Sequence, residues 1–398
     1  KTVKHEYENV APYRKKMDEA GVKPDDIKTL DDIRRLPFTQ KEDLAANYPT
    51  GLFAKPMHEI VRIQASSGTT GKPKIAGYTR NDLDMWGECV ARSLTMAGAD
   101  KDSIVHVSYG YGLFTGGLGA HIGAETIGAT VIPMSSGNTQ KQVMFLQDMK
   151  STHLCCTPSY ALTIAEAVAK AGIKPEELAL KAGVFGAEPW TQAMRDKIEA
   201  GLGIKAHDIY GLSEIMGPGV STSCSENNGM HIQEDYFYPE IIDPDTLEPV
   251  PDGEKGELVI TTLGKEGMPL IRYRTRDICY LMREKCACGR TTVRMSRVFG
   301  RTDDMLIIRG VNVFPSQVET VIAKFDKELT MNYKLYIGRE NNTDTFELAV
   351  ELAEGLALDD IGFVEMMRGR VEHALRDILG IGCKVRLLNE GTLPRSEG

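Results

Sequence analysis

From about residue 104 the chain alternates short apolar runs with longer stretches at helical spacing. "SIVHVSY" is followed by "LGAHIGAETIGA", "TVIPM" by "TQKQVMFLQDMK", and "HLCCTP" by "SYALTIAEAVAKAG". "LKAGVFGAEP", "TQAMRDKIEAGLG" and "KAHDIYGLSE" continue the series. Repeated strand and helix units of this length predict a parallel sheet covered on both faces. Ligands on such sheets bind at the carboxyl ends of the strands, which points to the segments "GAEPW" and "YGLSE".

Residues 232–300 read differently. "YFYPEIID", "GELVITTLG", "LIRYRTRDICYLM" and "TTVRMSRVFG" are strand-like runs separated by Pro, Asp and Gly turns, which predicts a β subdomain on the α/β body. After "GRTDD" comes a strand "MLIIRG", then a helix opened by Pro315 with Val318, Val321, Ile322 and Phe325 on one face. Strands "KLYIG" and "FELAVEL", a helix around "FVEMMRGRVEHALRDIL" and strand "KVRLL" complete a small α+β unit. The fold class is therefore α/β: a large N-terminal domain, 1–301, with mostly parallel sheets and a β subdomain, and a small C-terminal domain, 302–398.

Length, 398 residues, agrees with more than one domain. No uncharged apolar run is long enough to span a bilayer; the best candidate, "GLFTGGLGAHIGAETIGATVIPM", is interrupted by glycines, His121 and Glu125. A net charge of -9 with scattered Lys and Arg argues against a nucleic-acid partner. Eight cysteines are too few for a disulfide scaffold in a chain of this size, and no signal-like start is present, so a cytoplasmic, reducing setting is expected. The helical opening, "KTVKHEYENVAPYRKKMDEAG", implies further residues before Lys1. Oligomeric state is not readable, and a homodimer stays open.

"ASSGTTGKPKIAGYT", residues 65–79, has the composition of a phosphate-binding loop. It is not a Walker loop, because Lys72 is followed by Pro73 and then by a strand rather than a helix. Gly68 and Gly71 let main-chain amides turn toward an anion. Ser66, Ser67, Thr69 and Thr70 add hydroxyls, while Lys72 and Lys74 add charge, a set suited to a polyphosphate. On composition alone a solvated turn explains the same residues.

The loop is followed in order by "GAEPW", "YGLSE", "YRTRD" and "GRTDDMLIIRGVNVFPSQVE". That series resembles the adenylate-forming enzymes, and the last segment, with "EDYFYPEIIDP", resembles their phenylacetate–CoA ligase branch. The likeness runs from "YENVAPYRKKM" to "LPRSEG". It implies a two-step reaction: a carboxylate attacks the α-phosphorus of ATP to give an acyl-adenylate and pyrophosphate, and coenzyme A then displaces AMP. The loop would hold the leaving phosphates, with Thr69 and Lys72 among the catalytic groups.

Other roles follow from the same resemblance. Glu214 would bind Mg²⁺. Tyr210, with Gly211 and Ser213 beside it, would stack on adenine, Asp208 would accept from the exocyclic amine, and Gly186, Ala187, Glu188 and Pro189 would cover the ring's other face. Asp277 would take both ribose hydroxyls, a geometry suited to a carboxylate, and Arg301 the ribose or α-phosphate. Asp303 would be the hinge about which a mobile C-terminal domain turns between half-reactions. Tyr109, Phe114 and Ala120 would line the acyl pocket with Gly186 and Ala187; glycines and flat rings there suit an arylacetic acid. A family lysine is expected immediately after "LPRSEG", where this sequence ends at Gly398.

Cys224 and His231, with Cys286 and Cys288, supply the four ligands of a closed tetrahedral zinc site if their two segments meet. Cys89, Cys155, Cys156, Cys279 and Cys383 lie in apolar or helical contexts and read as core. Two alternatives to the ligase stay open: an adenylyltransferase acting on another carboxylate or cofactor without coenzyme A, and a regulatory AMP- or zinc-binding module without catalysis.

Overall fold

The computed structural model describes residues 1–66, 73–303, 306–308, 311–313, 315–340 and 343–394. It divides into two compact units, one of Lys1–Trp190 with Met194–Arg297, the other of Val298–Glu397 with Thr191–Ala193.

The large unit is built on a nine-stranded sheet. Its parallel half runs in the order Thr130–Pro133, Ile104–Val107, His153–Cys156, Ala182–Gly186 and Lys205–Leu212. Helices Thr115–Thr126, Thr139–Asp148, Pro158–Lys170 and Gln192–Leu202 make the crossovers. Every residue of His153–Cys156 and of Ala182–Gly186 is buried, as expected for strands covered on both faces. Leu146, Ile164, Ile198 and Leu202 of the helices close over Leu154, Cys156 and Phe185.

After Leu212 the sheet changes character. The chain turns through Ser213–Met216 and returns antiparallel as Gly217–Ser223, followed by Met230–Ile232, Arg294–Met295 and Leu281–Met282. The sequence pattern did not reveal Gly217–Ser223 as a strand. Pro218 cannot donate to a ladder, and Gly217 and Gly219 sit at φ 100° and 103°, so the run carries turn residues inside a strand. Residues 232–300 are likewise shared between two sheets. Phe237–Ile242, Gly256–Thr262 and Tyr273–Cys279 form an antiparallel meander, while the short strands after Leu281 extend the main sheet.

Helix Arg80–Met96 starts at a capping box: Asp82 N donates to Thr79 Oγ1 at 3.1 Å and Thr79 N to Asp82 Oδ2 at 2.9 Å. Its buried face carries Leu83, Trp86, Val90 and Leu94.

The small unit pairs Leu306–Ile308 with Val311–Val313 and builds a three-stranded sheet from Leu329–Glu340, Thr343–Leu352 and Lys384–Leu388. The row Val318, Val321, Ile322 and Phe325 packs with Leu348, Val350, Met367, Val371 and Leu375. Asp360 caps helix Ile361–Leu379 and Gly380, at φ 71°, ends it. No helix among the described residues is long and apolar enough to cross a membrane.

Candidate active site

Two motifs meet through tyrosines at the carboxyl end of Lys205–Leu212. The Tyr210 hydroxyl donates to Asp277 Oδ2 at 2.5 Å, and the Tyr273 hydroxyl donates to Glu214 Oε1 at 2.5 Å. "YGLSE" and "YRTRD" thus exchange one phenol for one carboxylate in each direction. Glu214 is 4 % exposed, and Lys74 Nζ donates to the same Oε1 at 3.2 Å. Burial opposes ionisation of Glu214, but Lys74 and the Tyr273 phenol outweigh it and hold the carboxyl below the usual glutamate range. Asp277 is also buried. Ser213 Oγ lies 3.2 Å from Thr115 Oγ1. Gly211 is required by space: a Cβ there would stand 1.8 Å from the Gly217 carbonyl oxygen.

Asp208 accepts from two side chains that precede it in the chain. Its Oδ1 accepts from Trp190 Nε1 and its Oδ2 from Arg195 Nη2 at 2.5 Å, with the Arg195 guanidinium 4.3 Å above the Trp190 ring. Burial still raises its pKa against those donors. Gly186 closes its strand, and Ala187 follows at φ 73°, a left-handed conformation unusual for alanine and frequent at functional sites. Glu188 Oε1 accepts from Ser159 N at 2.6 Å, which ties "GAEP" to the start of helix Pro158–Lys170. Pro189 follows in the same segment.

Tyr109 and Ala120 line an apolar cavity together with Val90, Leu94, Gly116, Cys155, Val184, Ile209 and Pro218. Phe114 precedes helix Thr115–Thr126, its ring against Gly116. Tyr111 meets His121 edge-on, hydroxyl to Nδ1 at 3.2 Å. Phe114, Gly186 and Ala187 are not among the residues lining this cavity.

Ser66 ends strand Arg62–Ser66 and pairs with Lys74 of the antiparallel strand Lys74–Tyr78. Ser67, Gly68, Thr69, Thr70, Gly71 and Lys72 lie outside the described residues, as do Arg395–Gly398. In the small unit Arg301 and Asp303 bind one another through two contacts, Nε to Oδ1 at 2.8 Å and Nη2 to Oδ2 at 3.0 Å. The residues proposed separately as phosphate ligand and hinge are therefore a forked ion pair.

Cys224, His231, Cys286 and Cys288 come together, their ligand atoms all within 4.8 Å of one another. Cys224 Sγ is 3.7 Å from Cys286 Sγ, and Cys288 Sγ is 3.5 Å from His231 Nε2. A tetrahedron with zinc bond lengths of about 2.3 Å to sulfur and 2.0 Å to nitrogen has edges of roughly 3.8 Å and 3.5 Å, so both distances fit. Burial, helped by Arg290 and Arg294, pushes the His231 imidazole down to about 4, leaving it neutral, and its Nδ1 is 2.9 Å from Thr292 Oγ1. Such a partner fixes the ring with Nε2 toward the sulfurs. Burial pushes Cys224 up to about 11. At Cys288 burial acts the same way but is outweighed by Arg290 and the neighbouring thiols, which bring it down to about 7.

Three side chains that sequence did not single out also meet here. Tyr78, Trp86 and Lys265 all contact the main chain of the Ser213–Pro218 segment. Lys265, in "TTLGKEG", reads as a surface-turn lysine, and nothing local in its sequence signals burial.

The parallel sheet thus gathers Tyr210 and two buried carboxylates, Glu214 and Asp277, at its strand ends, where ligands of such sheets bind. The sequence profile of the AMP-binding enzymes matches residues 5–264, and that of their C-terminal domain matches residues 310–398. A phenylacetate–coenzyme A ligase of Thermus thermophilus is 52% identical over 410 residues, covering 100% of this chain and 92% of its own. One from Escherichia coli K12 is 52% identical over 400 residues, covering 100% and 90%. A solved 2-hydroxyisobutyryl-CoA ligase in complex with 2-HIB-AMP, in the postadenylation state, has a TM-score of 0.90 at 29% identity, covering 99% of this chain and 85% of its own. The chain belongs to the AMP-binding, adenylate-forming enzyme family.

Proposed function

We propose that the chain activates an arylacetic acid, phenylacetate first among candidates, by ATP-dependent adenylation, and transfers the acyl group to coenzyme A with release of AMP and pyrophosphate. The observation that supports this most is the crossed tyrosine–carboxylate pairing, Tyr210 with Asp277 and Tyr273 with Glu214, in which both carboxylates are buried. Full-length relatives that bear the phenylacetate–coenzyme A ligase name support the choice of acid.

In the first step the acid's carboxylate oxygen attacks the α-phosphorus and pyrophosphate leaves. In the second the coenzyme A sulfur attacks the acyl carbon and AMP leaves. Tyr210 is assigned to adenine, with Gly186–Pro189 on the opposite face, and Asp277 to the ribose hydroxyls. Ser66 through Lys72, with Lys74, are assigned to the β- and γ-phosphates, Arg301 to the α-phosphate side and Asp303 to the hinge. Glu214, kept anionic, is the protein ligand for Mg²⁺, which when bound neutralises phosphate charge as it develops. Tyr109, Phe114 and Ala120, with Gly186 and Ala187, are assigned to the aryl group. Cys224, His231, Cys286 and Cys288 are assigned to a structural zinc ion. Free cysteines throughout suit a reducing, cytoplasmic setting.

The test is mass spectrometry of the products formed from ATP, Mg²⁺, coenzyme A and a panel of acids led by phenylacetate. Phenylacetyl-CoA with AMP and pyrophosphate is the expected result. AMP and pyrophosphate without a thioester would favour an adenylyltransferase, and absence of ATP turnover with every acid would favour a binding module.

A further inference from the structure

Lys265 is the only lysine among the buried described residues, at 1 % exposure. Burying an ammonium is costly unless it is compensated, and burial pushes this one down to about 8. Its hydrogen bonds go to main chain rather than to a carboxylate: Nζ donates to the carbonyl oxygens of Ile215 at 2.7 Å and Glu214 at 3.0 Å. Beneath it lies the Tyr78 ring, 5.0 Å to the centroid. The Tyr78 hydroxyl in turn faces the carbonyls of Ser213 at 3.0 Å and Met216 at 3.2 Å. Four successive carbonyls, 213 to 216, therefore converge on two buried side chains from other segments. Trp86, stacked on Tyr78, extends the grip by donating to the Pro218 carbonyl at 3.0 Å.

The carboxylate of Glu214 is held from the other side, by Tyr273 and Lys74. Backbone and side chain of one residue are thus fixed by separate sets of donors. A lysine needed only to fill space is replaceable by methionine; one spent on two carbonyls of a four-residue turn fixes peptide orientation, which methionine cannot do.

We propose that Lys265 is a positioning residue for adenylation: by holding the Glu214–Ile215 peptides together with Tyr78, it aims the Glu214 carboxylate before nucleotide arrives. This rests on the assignment of Glu214 as the Mg²⁺ carboxylate. The requirement belongs to the adenylation step, where a bound Mg²⁺ would neutralise phosphate charge, and the pyrophosphate has gone before the thioester forms. Pre-set ligands lower the reorganisation needed at the moment of reaction.

The experiment compares the two half-reactions in the intact chain. Pyrophosphate release is measured against Mg²⁺ at saturating ATP and phenylacetate, and thioester formation is measured from preformed phenylacetyl-adenylate and coenzyme A. Lys265→Met is expected to slow pyrophosphate release by about 30-fold and to raise the Mg²⁺ needed for half-maximal rate by about 10-fold, with thioester formation changed by less than about 3-fold. Tyr78→Phe, which removes only a hydroxyl, should show the same pattern at smaller amplitude, and Lys265→Arg should recover part of the loss. Equal loss in both half-reactions, or no change in the Mg²⁺ requirement, overturns the proposal. If Lys265→Met does not fold, Tyr78→Phe decides: an unaltered Mg²⁺ requirement overturns the proposal. Glu214→Gln separates the two ideas. If it abolishes pyrophosphate release while Lys265→Met behaves as wild type, only the positioning role falls; if Glu214→Gln is fully active, the Mg²⁺ assignment falls and takes this one with it.

Discussion

Two buried clusters of ligand-type side chains sit in the large unit, and they solve the problem of crowded anions differently. Around Glu214 the chain supplies its own donors: Lys74 and Tyr273 reach the carboxylate and Lys265 the peptide behind it. Around Cys224, His231, Cys286 and Cys288 the ligand atoms face one another, at the spacing of a zinc tetrahedron. A hard oxygen site that is already satisfied suits a cation that arrives and leaves with substrate. A soft cluster of sulfurs and an imidazole suits one that stays.

Removing Glu214 should have the largest effect on that contrast. Glu214→Gln is expected to lower the rate of pyrophosphate release by about 10²–10³-fold, as loss of a preorganised charge contact does. Its melting temperature should change far less than its rate, which calorimetry on the same protein checks.

The second cluster should respond in the opposite sense. Metal analysis of purified protein is expected to find about one zinc per chain, and Cys286→Ala should lose it. Melting temperature should then fall by roughly 10 °C while activity per folded molecule at low temperature stays within about 3-fold, the mark of a structural metal. A large loss of activity without loss of stability would move this cluster into the catalytic class.

Tyr210→Phe sharpens the first half of the comparison. It leaves Asp277 Oδ2 without the phenol, and the KM for ATP should rise by about 5- to 10-fold, with kcat reduced less, in steady-state kinetics.

The smallest effect concerns stability alone. Glu6 is buried, its Oε2 has no hydrogen-bond partner among the described residues, and burial raises its pKa well above the ordinary glutamate value. A group raised in this way contributes stability that is complete below its unfolded pKa and is lost as pH rises toward the folded one. Glu6→Gln should therefore melt about 2–4 °C higher than the parent near pH 8, with the difference closing near pH 4.

The strand and helix alternation from residue 104 was legible because the parallel strands are mostly short apolar runs and each crossover helix has its own period. "GAEP" and "YGLSE" were legible as candidate segments because they end or follow those strands, whereas "YRTRD", a strand of the antiparallel meander, stood out only through the resemblance. The pattern failed where local chemistry contradicts the final state. Gly217–Ser223 is a strand containing proline and left-handed glycines, and Lys265 is a charged residue in a turn-like run that ends up buried. The partners of Asp208 were not legible, because Trp190 and Arg195 stand on other segments of the fold. The cluster of Cys224, His231, Cys286 and Cys288 required two segments to meet, and pairing of Met230–Ile232 with Arg294–Met295 brings them together.

The turn that carries Glu214 has one more consequence. It joins two adjacent paired strands of the main sheet, with Leu212 opposite Gly217, and the amides of Ile215 and Met216 both bond the Leu212 carbonyl at 3.0 Å. Functional turns commonly belong to the parts of a protein that open most readily. Here donors and acceptors are both occupied, so these two amides should exchange with deuterium only when the large unit unfolds globally. The charge-bearing turn then behaves as a fixed anvil within the large unit.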